Sequence, residues 1–220
     1  MDTTFTKIPG HIRNRSTFDF PVRYQVIAGA TAERLVTNAD PSLLEPFIQA
    51  AKELEAAGVA AITGACGFLV IFQKELADSV DVPLYTSSLI QLPMVGRMIR
   101  RDQKVGLLVA KERSLTPRHL AAIGAESVPV AAVGMADQPE FREVMLEARR
   151  SELDVDRLER EVLEVVEGLA GENLGALVIE CTDLVPFAHK IQARLGVPVF
   201  DIVTLTDMVY RSLTRGPFSP

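Results

Sequence analysis

The chain has two cysteines, Cys66 and Cys181, and each is followed sixteen residues later by the same dipeptide, Val82-Pro83 and Val197-Pro198. Each cysteine also closes a short apolar run, Val59-Ala60-Ala61-Ile62 before the first and Ala176-Leu177-Val178-Ile179 before the second. A run of four or so apolar residues bounded by glycine, here Gly58 and Gly175, reads as a buried strand. The chain therefore carries one strand-Cys-helix-strand unit twice, 115 residues apart, which predicts two similar lobes with one thiol from each. Both thiols lie just past the C-terminal end of a strand, where open α/β sheets bind their ligands.

The rest of the chain alternates strand and helix signals. An alternating strand is expected over Tyr24–Ala28. Asp40 is a candidate N-cap, with Pro41 at the first helical position and Leu44, Phe47, Ile48, Ala51 and Leu54 on one apolar stripe. A helix over Phe68–Ala77, a strand over Val82–Thr86 and a helix over Ile90–Arg100 complete the first half. The second half offers a strand at Lys104–Val109, a helix start at Ser114–Pro117 ended by Gly124, and a strand at Val128–Val133. Residues 139–169 read as two helices with a solvated charged face and Asp154 as the cap between them. The second Cys unit, a strand at Val197–Phe200 and a helix over Leu205–Leu213 follow. Strands alternating with helices predict an α/β fold, each lobe a short, mainly parallel sheet flanked by helices, with right-handed crossovers. No Pro- or Gly-rich linker separates the halves, so the lobes pack closely and the cleft between them is the expected site.

Composition narrows the function. With 220 residues, 48% hydrophobic and 24% charged, the chain is long enough for one large or two small cores. A net charge of −6 disfavours nucleic acid or an anionic membrane as partner, since both require a cationic face. No apolar stretch approaches a membrane span, and the polar start Met1–Lys7 lacks the apolar core of a secretion signal. A cytoplasmic location is the expectation, and with it reduced cysteines. His11, His119 and His189 are dispersed, so no metal-ligand set is expected.

The first thiol lies in Thr63-Gly64-Ala65-Cys66-Gly67-Phe68 and the second in Ile179-Glu180-Cys181-Thr182-Asp183. Each sits between a strand end and a helix start, where free backbone N–H groups are expected to lower its pKa and to hold a substrate carboxylate. Gly67 fits either a tight turn or a close backbone approach to a ligand, and Thr182 either a cap or a hydroxyl contact. Asp183 is either an orienting group or a first-turn helix residue. Free cysteine also behaves as a small buried hydrophobe, which leaves a two-lobed binding protein with inert thiols open.

The paired Cys motifs, the Cys181-Thr182-Asp183 sequence, the Val-Pro strand after each and the chain's size resemble the aspartate/glutamate/hydantoin racemase superfamily. The resemblance implies a pseudo-twofold pair of lobes with the active site in the cleft, residues 1–102 with 205–220 forming lobe 1 and 103–204 forming lobe 2. It implies a cofactor-independent racemase or epimerase, with Cys66 and Cys181 exchanging a proton on opposite faces of a carbon next to a carboxylate or amide. It further implies a small carboxylate-bearing substrate and a homodimer or higher homo-oligomer. Gly67-Phe68 stand where amino-acid racemases of the family carry Asn-Thr, which makes this side of the site more apolar. The loop Gly10–Pro21 resembles the family's first-strand loop that reaches the cleft, giving Asn14 as a candidate contact. Arg13 and Arg15 are either partners for a second carboxylate or a solvated basic loop. Thr86, Ser87, Ser88, Ser114 and Thr116 end strands on the same edge, as caps or ligand contacts, and Thr86 is taken as a substrate contact. A maleate-type cis-trans isomerase and an arylmalonate-decarboxylase-like enzyme are the alternatives within the superfamily.

Overall fold

The computed structural model describes residues 1–217. Helix α1, Leu44–Ala56, follows a 3₁₀ turn at Pro41–Leu43 that Asp40 caps by accepting the Ser42 N–H at 2.9 Å. It buries Phe47, Ala50 and Ala51 and stops at Gly58, whose φ of +80° suits a residue without Cβ. Strand β1, Ile62–Thr63, leads into Cys66, a 3₁₀ segment Gly67–Phe72 and helix α2, Gln73–Ala77. Strand β2, Leu84–Tyr85, pairs parallel to β1 and is followed by helix α3, Leu92–Met98. The expected strand at Tyr24–Ala28 is not formed. Residues 22–27 form no regular element, no strand pairs with them, and Val22, Tyr24 and Val26 stay exposed.

Lobe 2 holds a four-stranded parallel sheet, in the order β4-β3-β5-β6. These strands are β3, Lys104–Val109; β4, Val130–Gly134; β5, Leu174–Ile179; and β6, Val199–Phe200. The central strands β3 and β5 read as continuous apolar runs because helices cover both faces, and Val105, Leu107, Leu108, Leu177, Val178 and Ile179 are fully buried. Helix α4, Pro117–Ala121, and the short α5, Pro139–Phe141, connect this sheet with α6, Val155–Glu167. The predicted cap Asp154 accepts the Arg157 N–H at 2.9 Å.

The charged segment is not wholly a solvated face. Glu161 is buried and accepts the N–H groups of Glu140 and Phe141 at 2.8 and 3.1 Å, so a carboxylate caps the N-terminal end of α5. Glu140, also buried, accepts the Asp154 N–H at 2.8 Å and pairs with Arg150. After the 3₁₀ segment Thr182–Phe187 come α7, Ala188–Leu195, and, past β6, α8, Ile202–Leu213. Helix α8 returns to the first lobe: the Thr206 hydroxyl bonds the Tyr85 phenol, and Tyr210 stacks on Phe20 with centroids 3.9 Å apart. The last three residues assigned to lobe 1, 218–220, lie outside the described residues. No described helix is long and apolar enough to cross a membrane.

Candidate active site

The duplication holds at the level of single hydrogen bonds. Ile62 N–H donates to Pro83 O in lobe 1, and Leu177 N–H, 115 positions later, donates to Pro198 O in lobe 2. Each thiol-bearing strand then ends in a cysteine with extended backbone that opens a six-residue 3₁₀ segment. The two cysteines meet in a small pocket of about 20 Å3 whose wall includes Ala65, Cys66, Gly67, Ala110, Glu180, Cys181, Thr182 and Asp183. That space holds little more than one water molecule. Thr182 Oγ1 donates to Ala65 O at 3.2 Å, so its hydroxyl ties the lobes together.

A second duplicated device forms the remaining walls. Glu33–Thr37 and Arg142–Leu146 are both single π-helical turns. Their bonds match: Asn38 N–H to Glu33 O and Asp40 N–H to Arg34 O in lobe 1, Glu147 N–H to Arg142 O and Arg149 N–H to Glu143 O in lobe 2. Each turn is followed by an alanine at positive φ, Ala39 at 46° and Ala148 at 51°. Val36 from the first turn and Met145 and Leu146 from the second line the thiol pocket, as do Met1, Ala32 and Phe141. Wide turns of this kind recur at functional sites because they displace a helix face by a residue.

The thiols differ in their neighbours. Cys181 Sγ lies 3.9 Å from Asp183 Oδ2, and Asp183 Oδ1 lies 2.7 Å from His11 Nε2. The Arg13 N–H donates to His11 Nδ1 at 2.9 Å, which places the ring proton on Nε2, facing Asp183. The result is a relay from the Cys181 thiol to a carboxylate held by a buried histidine of the other lobe. Cys66 has no such carboxylate partner and instead accepts the Phe68 N–H. Beneath both turns lies Glu180, 1% exposed, accepting N–H groups from Ala110 at 3.0 Å and from Phe68. Gly67 is required here, because a Cβ at that position would overlap the Glu180 side chain and main-chain oxygen.

Electrostatics reverse one sequence expectation. Burial, reinforced by Glu180, pushes the Cys66 thiol up to about 12, against the lowering by the Phe68 amide. Burial with Asp183 and Glu180 raises Cys181 well above an ordinary thiol. The amides at the strand ends do act in the expected direction, but desolvation outweighs them. Burial also raises the Glu180 carboxyl to about 8. With both thiols and Glu180 held protonated, the charged groups at the pocket are Asp183 and the Met1 amine, which faces Cys66 and Asp183.

Of the sequence-predicted contacts, Cys66, Gly67, Cys181, Thr182 and Asp183 come together, and three stand elsewhere. Asn14 is used up in its own loop, donating to Lys7 O at 2.6 Å and accepting the Ser16 N–H. The Phe68 ring packs edge-on against His119, 5.1 Å between centroids, and only its amide reaches the site. Thr86 donates its N–H and hydroxyl to Gln73 Oε1, both at 2.8 Å. Arg13 donates to Met1 O and Thr3 Oγ1, and Arg15 is exposed. Ser87 and Thr116 are helix caps, and the Ser88 hydroxyl donates to Ile179 O. Sequence reasoning missed His11, set aside among dispersed histidines, and Glu180, whose signal was a charged residue ending an apolar run. Among the described residues no cluster of His, Cys, Asp and Glu could hold a metal ion.

A family model described as Asp/Glu/Hydantoin racemase matches residues 25–206. Dimethylsulfoniopropionate lyase 6 of Emiliania huxleyi is 30% identical over 229 residues, covering 99% of this chain and 59% of the relative. A dimethylsulfoniopropionate lyase of Durusdinium sp. clade D is 28% identical over 226 residues, covering 99% and 74%. The chain thus spans about three-fifths of the length of the Emiliania huxleyi lyase. Among solved structures, allantoin racemase from Klebsiella pneumoniae shares the fold with a TM-score of 0.55 at 16% identity, covering 79% of this chain and 69% of that one.

Proposed function

This chain belongs to the Asp/Glu/hydantoin racemase family, and on that premise we propose that it is a cofactor-independent enzyme that removes the proton next to a carboxylate with Cys181 and expels a cationic group from the adjacent carbon. The substrate class is a β-sulfonium carboxylate of the dimethylsulfoniopropionate type. The observation that carries this reading is the Cys181–Asp183–His11 relay facing Cys66 across the pocket.

A resting thiol with a raised pKa is a poor base, so activation comes with the substrate. A sulfonium cation entering beside Asp183 and the thiols supplies a positive charge that stabilises the thiolate against burial, and Asp183 accepts the Cys181 proton. The thiolate then takes the α-proton, the C–H electron pair forms the new C=C bond, and the C–S bond breaks to release neutral dialkyl sulfide and an acrylate. Cys181 is a thiol again once it has taken the α-proton, and the proton held by Asp183 leaves to solvent, which resets the site. In this reading the Gly67 and Thr182 N–H groups, which open the two 3₁₀ segments, hold the carboxylate as charge builds on it.

A second reading, racemisation or epimerisation of an amino acid or hydantoin, is favoured by the presence of Cys66 on the opposite lobe. One experiment separates the two. The protein is incubated in heavy water with dimethylsulfoniopropionate and, separately, with aspartate, glutamate and allantoin. Dimethyl sulfide with acrylate, abolished by Cys181→Ala, is the expected result. Inversion with α-deuteration of the amino acids or allantoin supports the second reading, and neither product in any incubation overturns both.

A further inference from the structure

Glu180 extends from the end of β5 in lobe 2, yet its side chain lies between the lobes. Oε2 accepts the Ala110 N–H of lobe 2 at 3.0 Å. Oε1 lies against the lobe 1 turn, so closely that a Cβ added to Gly67 would stand 2.2 Å from it. The Phe68 N–H serves both this carboxyl and the Cys66 sulfur, so the two acids draw on one donor.

Two buried acids that share one donor do not readily ionise together, because each negative charge raises the cost of the other. Glu180 ionises first, with its carboxyl at about 8 and the Cys66 thiol at about 12. Below the first step Glu180 already holds a proton and cannot take another from Cys66. Above it, the Glu180 charge and its hold on the Phe68 N–H oppose a second charge on sulfur. Cys66 is therefore a thiol on both sides of the step. Cys181 stands differently, because Asp183, 3.9 Å from its sulfur, is a carboxylate able to take the proton.

The other titratable groups facing Cys66 and Glu180 are Asp183, Cys181 and the Met1 amine. Asp183 adds to the charge that opposes thiolate at Cys66, and the Met1 amine offsets part of it. The remaining wall is apolar, from Ala32, Val36, Phe141, Met145 and Leu146.

We propose that Glu180 assigns the roles of the two thiols: set between Ala110 and the Gly67-Phe68 turn, it keeps Cys66 a proton donor and leaves the base role to Cys181. Glu180 acts through Cys66 and is a positioning residue. This assignment rests on the reading of Cys181 as the base, and it gives a reason for a site with two equivalent thiols to work from one face of the α-carbon.

The test follows the thiols themselves. The whole chain is labelled with cysteine carrying carbon-13 at Cβ, which gives two signals, assigned with Cys66→Ala and Cys181→Ala. These signals and the backbone amides are followed by NMR from about pH 5 to about pH 10. In the unsubstituted chain the expected result is a small step at Cys66 at about pH 8, shared by the Phe68 and Ala110 amides, without conversion of Cys66 to thiolate. In Glu180→Gln, which cannot ionise, the step disappears and the thiolate fraction of Cys66 at pH 10 rises at least about fivefold. Cys181 responds less, because Asp183 remains beside it. The amide measurement needs no substitution and decides the matter even if Glu180→Gln fails to fold.

Three outcomes overturn the role of Glu180. The Phe68 and Ala110 amides do not titrate together. The Cys66 step survives in Glu180→Gln. Cys181 responds as strongly as Cys66. Dimethyl sulfide is measured separately: its absence with the titration intact overturns the elimination alone, and its formation without the titration overturns the role of Glu180 alone.

Discussion

Lobe 2 carries its thiol on a four-stranded sheet and gives it a carboxylate partner, whereas lobe 1 carries an equivalent thiol on two strands and gives it only an amide. The backbone devices are the same in both: a strand running into cysteine, a 3₁₀ segment, and a π-turn followed by an alanine at positive φ. What differs is the side chain placed beside each thiol. Backbone hydrogen-bond geometry survives many sequence changes, while the chemistry of a site turns on one or two side chains. The two lobes thus share a way of presenting a proton-transfer group and differ in how that group is switched on.

The largest test of this contrast is the pair of thiol variants. Cys181→Ala is expected to lower turnover of the reactive substrate by about a thousandfold, in the range typical of losing a positioned acid or base. Cys66→Ala is expected to lower it by about tenfold to a hundredfold, because elimination requires a base on one face only. Equal losses in steady-state assays would mean that both lobes exchange protons, and the asymmetry would be one of form alone.

Glu180 offers the next effect in size. Its carboxyl titrates near 8 when folded and near 4.5 when unfolded. The folded chain therefore holds a proton that the unfolded chain releases, and the stabilising contribution is complete below about pH 4.5 and is lost as pH rises through about 8. Urea unfolding at pH 5, 6.5 and 8 should show stability declining by roughly a few kcal/mol across that window. In Glu180→Gln the decline should flatten, and an unchanged slope would assign it to other groups.

Gly67 and Thr182 hold the same place after the two cysteines, yet their substitution should cost differently. Gly67→Ala forces a Cβ into Glu180 and is expected to destabilise by about 2–3 kcal/mol. Thr182→Ala removes one hydrogen bond to Ala65 O and is expected to cost about 1 kcal/mol. Similar midpoint shifts in denaturant would show that Glu180 yields to the new methyl group. The smallest effect concerns the π-turns. Ala39→Gly and Ala148→Gly relieve left-handed strain of about 1 kcal/mol, partly offset by a freer unfolded chain, so each should stabilise slightly and by the same amount. Opposite signs would mean that the two turns are alike only in outline.

Much of the frame was legible from periodicity and punctuation. The apolar runs of β3 and β5, the caps at Asp40 and Asp154 and the pairing of the two Cys units all follow from local sequence. Tyr24–Ala28 misled because an alternating pattern states that a segment can pair, not that a partner lies beside it. The thiol pKa values were read in the wrong direction because amide donors can be placed from sequence, while desolvation depends on how far the lobes close. The π-turns were invisible: Glu33–Thr37 and Arg142–Leu146 share a backbone path and contain Glu, Arg, Leu and Val in different orders, but nothing in those residues marks a wide turn. Glu140, Glu161 and Glu180 were hidden for a similar reason, since nothing local marks a carboxylate that will be covered.

A pocket of about 20 Å3 with both sulfurs inside it also sets how the resting protein meets a reactive environment. Peroxide and alkylating reagents attack thiolates that they can touch, and here both conditions are poorly met, since the two cysteines are buried and their thiols are held protonated. Damage to this protein should therefore accumulate with turnovers completed rather than with time elapsed, so a thiol reagent would act as a counter of catalytic cycles.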